Sequence, residues 1–246
     1  MKPKIVIIGG AGGIGSKIAL RYARAGFTVI IGDVDSKKGK HLVHELANSA
    51  EFVAVDVLRH ESIISFAECL RNHYGSVEHI ISLAGRAIQG EFQGLSGSTF
   101  AIIDQSIQLN LTSHLILTKT LLPLIEESSA PNKSITFLSS VNAIMDFGLP
   151  AYSAAKAGLL GFVRSLCSEL GKKNIRINAI LPGSVDTALA QSEPKDMPAL
   201  VRATTLGRIP TAEEIASVVF AVTELMTCIT GQCIVADCGQ SINGHN

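Results

Sequence analysis

The chain has 246 residues, 47% hydrophobic and 17% charged, with 21 Lys+Arg balanced by 21 Asp+Glu. That apolar content excludes a disordered chain, and the length suits one large α/β domain spanning residues 1–246. A formal net charge of zero provides no field toward nucleic acid or an anionic membrane, so neither is expected as a partner.

The first ten residues carry two lysines and then a short apolar run closed by glycines. The run is too short for a signal-peptide core with a cleavage site and reads as a buried strand. No stretch of about 18 uninterrupted apolar residues follows, which excludes an ordinary membrane span and points to a cytoplasmic protein. Strands are predicted at Lys4–Ile8, Thr28–Ile31, Phe52–Val55, His79–Leu83, Ser134–Leu138, Arg176–Ile180 and Cys233–Ala236. Most are apolar on both faces, as parallel strands covered by helices on each side must be.

Helices are predicted between them, over Ile14–Ala25, Ser36–Ala47, Glu61–His73, Ile102–Ile125, Ala151–Leu170 and Thr211–Leu225. The last opens with Thr211 and Glu214, a capping-box pair, and Asp35-Ser36 offers a cap for the second. This alternation predicts a Rossmann-type doubly wound parallel sheet of about seven strands, with helices on both faces. The least regular stretch is Pro182–Pro210, and about 184–206 is read either as a flap over a site or as a surface excursion. Cys69, Cys167, Cys228, Cys233 and Cys238 lack the paired spacing of a zinc site, so no metal is expected and the thiols read as reduced and mostly buried.

Three features carry chemistry. The first strand runs into Gly9-Gly10-Ala11-Gly12-Gly13-Ile14-Gly15 and then a helix, the context in which glycines let a pyrophosphate approach backbone N–H groups. Two registers fit: Gly10, Gly12 and Gly15, or Gly9, Gly13 and Gly15. The second strand ends in Ile31-Gly32-Asp33, and the Asp33 carboxylate can bind both hydroxyls of an adenosine ribose and repels a 2′-phosphate; NAD is favoured over NADP. Third, Tyr152 and Lys156 are four apart and share a helix face. A phenol with an ordinary pKa of about 10 is a poor base at neutral pH, and a nearby ammonium favours its phenolate. Tyr152 can then exchange a proton with a carbonyl or alcohol oxygen, while Ser140 hydrogen-bonds that oxygen.

Together with Asp56, Leu83-Ala84-Gly85, Asn110, Pro182-Gly183-Ser184-Val185-Asp186-Thr187 and the Ile229–Gly239 ending, these residues resemble the short-chain dehydrogenase/reductase family across essentially the whole chain. The resemblance implies that Gly9, Gly13 and Gly15, with Ile14, form the dinucleotide loop. It implies that Asp33 binds the ribose, that Asp56 and Val57 hold adenine, and that Ala84 and Gly85 pass beside the cofactor. Pro182, Gly183, Val185 and Thr187 line the nicotinamide end, with Val185 and Thr187 at the carboxamide. Asn110 keeps a helix kinked and holds a water in a proton relay with Ser140, Tyr152 and Lys156, and Lys156 also binds the nicotinamide ribose. The chain departs from the pattern at Ile8, Leu83 and Cys238. The Ser140–Tyr152 interval is one residue short, which leaves Ser139 as the alternative serine.

The expected activity is hydride transfer between NAD and a small-molecule secondary alcohol or ketone. Two other readings stand beside it: a 3-oxoacyl-(acyl-carrier-protein) reductase using NADPH, and a non-catalytic dinucleotide sensor. Against the reductase stand Asp33 and the acidic Glu126-Glu127, with only Lys172-Lys173 offering positive charge. Against the sensor stands the retention of Tyr152 and Lys156. Arg86, Gln89, Asn142 and Asp146 are candidate pocket or rim residues. The apolar surplus of Ala151–Leu170 suggests a homotetramer or homodimer.

Overall fold

A computed structural model describes residues 2–47, 49–187 and 196–243. Its described strands are β1 (Lys4–Ile8), β2 (Thr28–Asp33), β3 (Ala50–Ala54), β4 (His79–Ser82), β5 (Ser134–Leu138), β6 (Arg176–Pro182) and β7 (Cys233–Ala236). They form one parallel sheet in the order β3-β2-β1-β4-β5-β6-β7, the doubly wound topology expected.

Strand alternation divides the apolar residues between two cores. Val6 and Ile8 of β1 and Phe137 of β5 face a core covered by α3 (His60–Tyr74), α5 (Ser113–Glu126) and α6 (Pro150–Gly171). Ile5 and Ile7 face a second core covered by α1 (Gly13–Arg24), α2 (Ser36–Glu45) and α7 (Ala212–Phe220). The predicted caps form: Asp35 accepts from Lys38 N at 3.0 Å, and Thr211 and Glu214 complete a capping box. Among the described residues no helix is long and apolar enough to cross a membrane.

Several boundaries move for identifiable reasons. β2 continues to Asp33, because Asp33 pairs with Ala54 and its carbonyl accepts from Val55 N. β6 continues to Pro182, opposite Ala236 of β7. The single helix predicted over Ile102–Ile125 is instead α4 (Phe100–Ile107), a π-helical turn at Gln108–Thr112 and then α5. Within that turn Asn110 Nδ2 donates to Ser106 O at 3.0 Å, competing for a carbonyl of the helix ladder. The predicted Thr211–Leu225 helix likewise ends in a π-helical turn, at Ala221–Leu225.

The irregular stretch is not wholly irregular, since Met197–Arg202 is helical and is capped by Asp196. Residues 188–195 of the expected 184–206 flap lie outside the described residues. All five cysteines are free; none is fully buried, and Cys228 is exposed, which corrects the expectation of mostly buried thiols.

Candidate active site

The strand order reverses at β1 and β4. Connections leave these neighbouring strands on opposite faces, which opens a crevice beyond their C-terminal ends. The glycine loop closes one side of it. Gly9 has φ +80°, donates to Gly32 O at 2.7 Å, and lies so close to the next strand that a Cβ there would sit 2.8 Å from Ala84 N. A Cβ on Gly15 would sit 2.7 Å from Gly10 Cα, and one on Gly13 would sit 3.0 Å from Thr187 Cβ. The start of α1 has Gly12 as N-cap and no side-chain cap, so its first N–H groups are presented toward the crevice mouth. This cradle, which side chains would fill, fits a pyrophosphate; Ile14 is half-buried within it.

Asp33 ends β2 beside that loop. Its Oδ2 accepts from Ala11 N and its Oδ1 from Asp35 N, both at 3.0 Å, so the carboxylate ties the loop to the strand. Asp56 Oδ1 accepts from Leu58 N at 3.0 Å, and Val57 packs on the core, which places this pair past the end of β3.

On the other side of the crevice the segment after β4 is pinned by Asn110. Its Oδ1 accepts from Arg86 N and its Nδ2 donates to Arg86 O, each at 2.9 Å. Gly85, at φ +154°, makes room for this: a Cβ there would meet Asn110 Oδ1 at 2.5 Å and Lys156 Nζ at 3.3 Å. Lys156 is buried, donates to Leu138 O at 2.9 Å, and has its Nζ 5.7 Å from the centre of the Tyr152 ring. Burial pushes its pKa down to about 8. Behind it lies His114, whose Nδ1 is 2.6 Å from Ser82 Oγ; burial first, and then the Lys156 charge, push it down to about 3, so this imidazole is neutral.

The two serines after β5 part company. Ser139 donates its hydroxyl to Lys156 O at 2.9 Å and is thereby spent within the fold. Ser140 faces the phenol of Tyr152 and donates to Asn142 Oδ1 at 3.1 Å. Ser140, and not Ser139, therefore faces Tyr152. The expectation that Lys156 eases the phenol toward ionisation is not met by the protein's own groups. Burial pushes Tyr152 up to about 12, the Ser140 hydrogen bond works downward, and the charge of Glu91 works upward.

The loop after β6 closes the crevice over the glycine loop. Gly183 is packed so tightly that a Cβ would lie 2.6 Å from Gln240 Oε1 and 2.8 Å from Asp237 Cβ. Gln240 accepts from Ser184 N at 2.8 Å, Val185 is buried, and Thr187 lies against Gly13. Pro182 ends β6 just before this loop.

The structure thus gathers Gly9, Gly13, Gly15, Ala84, Gly85, Asn110, Ser140, Tyr152, Lys156 and Thr187 around one crevice. Arg86 is exposed, and Asp146 is an exposed residue whose Oδ1 accepts from Gly148 N. Glu91, His114 and Gln240 were not singled out in the sequence. None carries a local signal, because each acts on a residue distant in the chain.

Residues 9–241 match a family model described as enoyl-(acyl carrier protein) reductase. A 3-oxoacyl-(acyl-carrier-protein) reductase of Pseudomonas aeruginosa is 31% identical over 246 residues, covering 97% of this chain and 98% of the relative. A 7alpha-hydroxysteroid dehydrogenase of Bacteroides fragilis is 28% identical over 255 residues, covering 98% and 95%. The solved structure of an oxidoreductase of the short-chain dehydrogenase/reductase family from Burkholderia thailandensis superposes with a TM-score of 0.86 at 28% identity, over 98% of this chain and 93% of that one. The chain belongs to the short-chain dehydrogenase/reductase family. It is an oxidoreductase acting on CH–OH or carbonyl groups with a nicotinamide cofactor.

Proposed function

We propose that this chain interconverts a secondary alcohol and a ketone with NAD, using Tyr152 as general acid and base. The observation that carries the reading is the convergence of Tyr152, Ser140 and Lys156 at the C-terminal end of β5, across the crevice from the uncapped start of α1.

A bound nicotinamide supplies or takes up the hydride. Gly9, Gly13, Ile14 and Gly15 hold its phosphates, Asp33 the adenosine ribose, and Asp56 and Val57 the adenine. Ala84, Gly85, Pro182, Gly183, Val185 and Thr187 line the rest of its path. During reduction Tyr152 Oη donates a proton to the carbonyl oxygen, and during oxidation it takes one from the alcohol. Ser140 Oγ donates a hydrogen bond to the same oxygen and fixes its position. Lys156 holds positive charge behind the phenol and binds the nicotinamide ribose, while Asn110 fixes the wall at Arg86 and holds a relay water.

NAD is favoured because Asp33 puts a carboxylate where a 2′-phosphate would need positive charge. Of the two cations that follow it on α2, Lys37 and Lys38, the second is paired with Asp35 at 3.1 Å. The second reading, a 3-oxoacyl-(acyl-carrier-protein) reductase using NADPH, draws on the names of several relatives. Its need for a basic docking surface is poorly served here, because Lys173 is neutralised by Glu126 at 2.5 Å.

The test follows absorbance of the reduced nicotinamide with NAD or NADP against diverse secondary alcohols, and with NADH or NADPH against ketones and a 3-oxoacyl thioester. Turnover with NAD on a simple secondary alcohol supports the reading. Turnover confined to NADPH and the thioester replaces it with the second. We also propose a homotetramer or homodimer, on the exposed Phe92, Leu95 and Phe100 at the surface around α4. Light scattering that gives a 26.0 kDa particle would overturn this.

A further inference from the structure

Helix α6 carries both Tyr152 and Lys156, yet nothing local caps it. It begins after Leu149, a non-glycine residue at φ +57°, with Pro150 in its first turn and no side-chain cap from Leu149. The cap comes from elsewhere. Glu91, 61 residues earlier and only 1% exposed, accepts from Tyr152 N through Oε1 at 2.9 Å and from Ile88 N through Oε2 at 2.7 Å. Its loop is shaped for this: Gly90 turns at φ +105°, and a Cβ there would meet Ile102 Cδ1 at 2.7 Å.

A carboxylate at a helix N-terminus is favoured by the helix dipole and by free N–H groups. Burial among apolar neighbours would otherwise make such a charge costly. Both of its oxygens are used, each on a backbone donor, and one of those donors belongs to the residue that bears the reacting phenol.

We propose that Glu91 is a positioning residue for Tyr152: it anchors the backbone from which the phenol projects, and its negative charge keeps the phenol proton in place, so the site is poised as an acid for carbonyl reduction. This rests on the reading of Tyr152 as the general acid–base. The direction agrees with the phenol's surroundings, where the Glu91 charge adds to burial in raising Tyr152 against the Ser140 hydrogen bond. Among the described residues Lys156, on the same helix, is the other charged group beside the phenol. Asn110 is uncharged and His114 is neutral behind Lys156, while Arg86 and Asp146 are exposed at the rim.

The test uses Glu91→Gln, which keeps the shape and removes the charge, and Glu91→Asp, which keeps the charge but withdraws it by one methylene. For alcohol oxidation the phenol must lose its proton, so the acidic limb of kcat/KM reports that loss. Glu91→Gln is expected to move the limb by roughly one pH unit toward acid, and Glu91→Asp by a smaller step the same way. A merely structural glutamate would lower melting temperature and rate without moving the limb. A folded Glu91→Gln whose limb coincides with that of the wild type overturns the proposal. If that variant does not fold, an unmoved limb in Glu91→Asp does so.

If the wild type turns over no alcohol or ketone, the function reading fails by itself. Tyrosinate absorbance, taken as the difference between each protein and its Tyr152→Phe counterpart, then decides about Glu91. A midpoint lowered in either Glu91 variant supports the inference, and an unchanged midpoint overturns it.

Discussion

Each end of the sheet places a tyrosine near a cation, and the two ends use them in opposite ways. At the N-terminal end, Tyr22 hydrogen-bonds Thr223, and Arg176 spends its guanidinium on the fold. Its nitrogens reach Val222 O at 2.8 Å, Thr223 O at 2.6 Å and Asn132 Oδ1 at 2.9 Å, with longer contacts to the Met226 and Ile229 carbonyls. These carbonyls belong to the π-helical end of α7 and the turn beyond, where a helix lacks its own donors and favours positive charge. His79 completes this end. Its Nε2 lies 3.0 Å from Glu224 Oε1, but burial first, and then the Arg176 charge, push the imidazole down to about 3, so the contact is not a pair of full charges.

At the C-terminal end Lys156 spends one bond on Leu138 O, and an ammonium has more donors than that acceptor uses. Tyr152 is held through its backbone N–H by Glu91, with the hydroxyl facing Ser140 beside the crevice. Saturated polar groups make structure; a buried polar group with capacity left over is kept at a cost in stability and is available to a ligand.

The largest break in this contrast should come from Tyr152→Phe. Loss of the proton donor is expected to lower kcat by roughly 10²–10⁴-fold while NADH binding, read by fluorescence titration, stays within about twofold. A Phe variant that keeps more than roughly a tenth of wild-type turnover would remove the phenol from the chemistry.

At the opposite end, Arg176→Met should leave kcat unchanged and cost stability. It takes a donor from Val222 O and Asn132 Oδ1 and one of two donors from Thr223 O and Ile229 O, which keep their bonds to Asn132 and Asn178, and a loss of about 2 kcal/mol in urea unfolding is expected. An unaltered midpoint would mean that water serves those carbonyls as well as arginine does.

The smallest expected change in stability sharpens the comparison most, because its sign is unusual for a buried charged residue. The fall of the Lys156 pKa from 10.5 to about 8 corresponds to about 3 kcal/mol of desolvation cost at neutral pH. Lys156→Met should therefore raise stability at pH 7 by about 1–3 kcal/mol, once the lost Leu138 hydrogen bond is allowed for, while turnover disappears. The sign against pH follows from proton binding. Between about 8 and 10.5 the unfolded chain holds the Lys156 proton and the folded chain releases it, so the penalty fades as pH rises through that window. Calorimetry of both proteins across that range should show the wild type catching up with the variant. A variant that is less stable at every pH would mean that the bond to Leu138 outweighs desolvation.

Much of this was legible in the chain itself. All seven strands announced themselves as short apolar runs; the five inner ones do so because a parallel strand covered on both faces has no polar side to show, whereas the edge strands β3 and β7 are only partly covered. The glycine loop could be read because strand, glycines and helix are adjacent in sequence, and Tyr152 with Lys156 because four residues make about one helical turn. The choice between Ser139 and Ser140 was not legible in the same way. Neighbouring residues at a strand end point to opposite sides, and only the packing of α6 shows which side holds the phenol.

The sequence by itself therefore determined the element order, the doubly wound sheet, the glycine loop between β1 and α1 and the helix face shared by Tyr152 and Lys156, since all are written in spacing between near neighbours. Tertiary structure alone decided that Glu91 caps α6 from 61 residues away, that Asn110 diverts a helix into a π turn while holding Arg86, and that Tyr152 sits near 12 and Lys156 near 8. Caps across the chain and pKa values set by burial depend on what comes to lie beside a group in space, and no local pattern of residues records that.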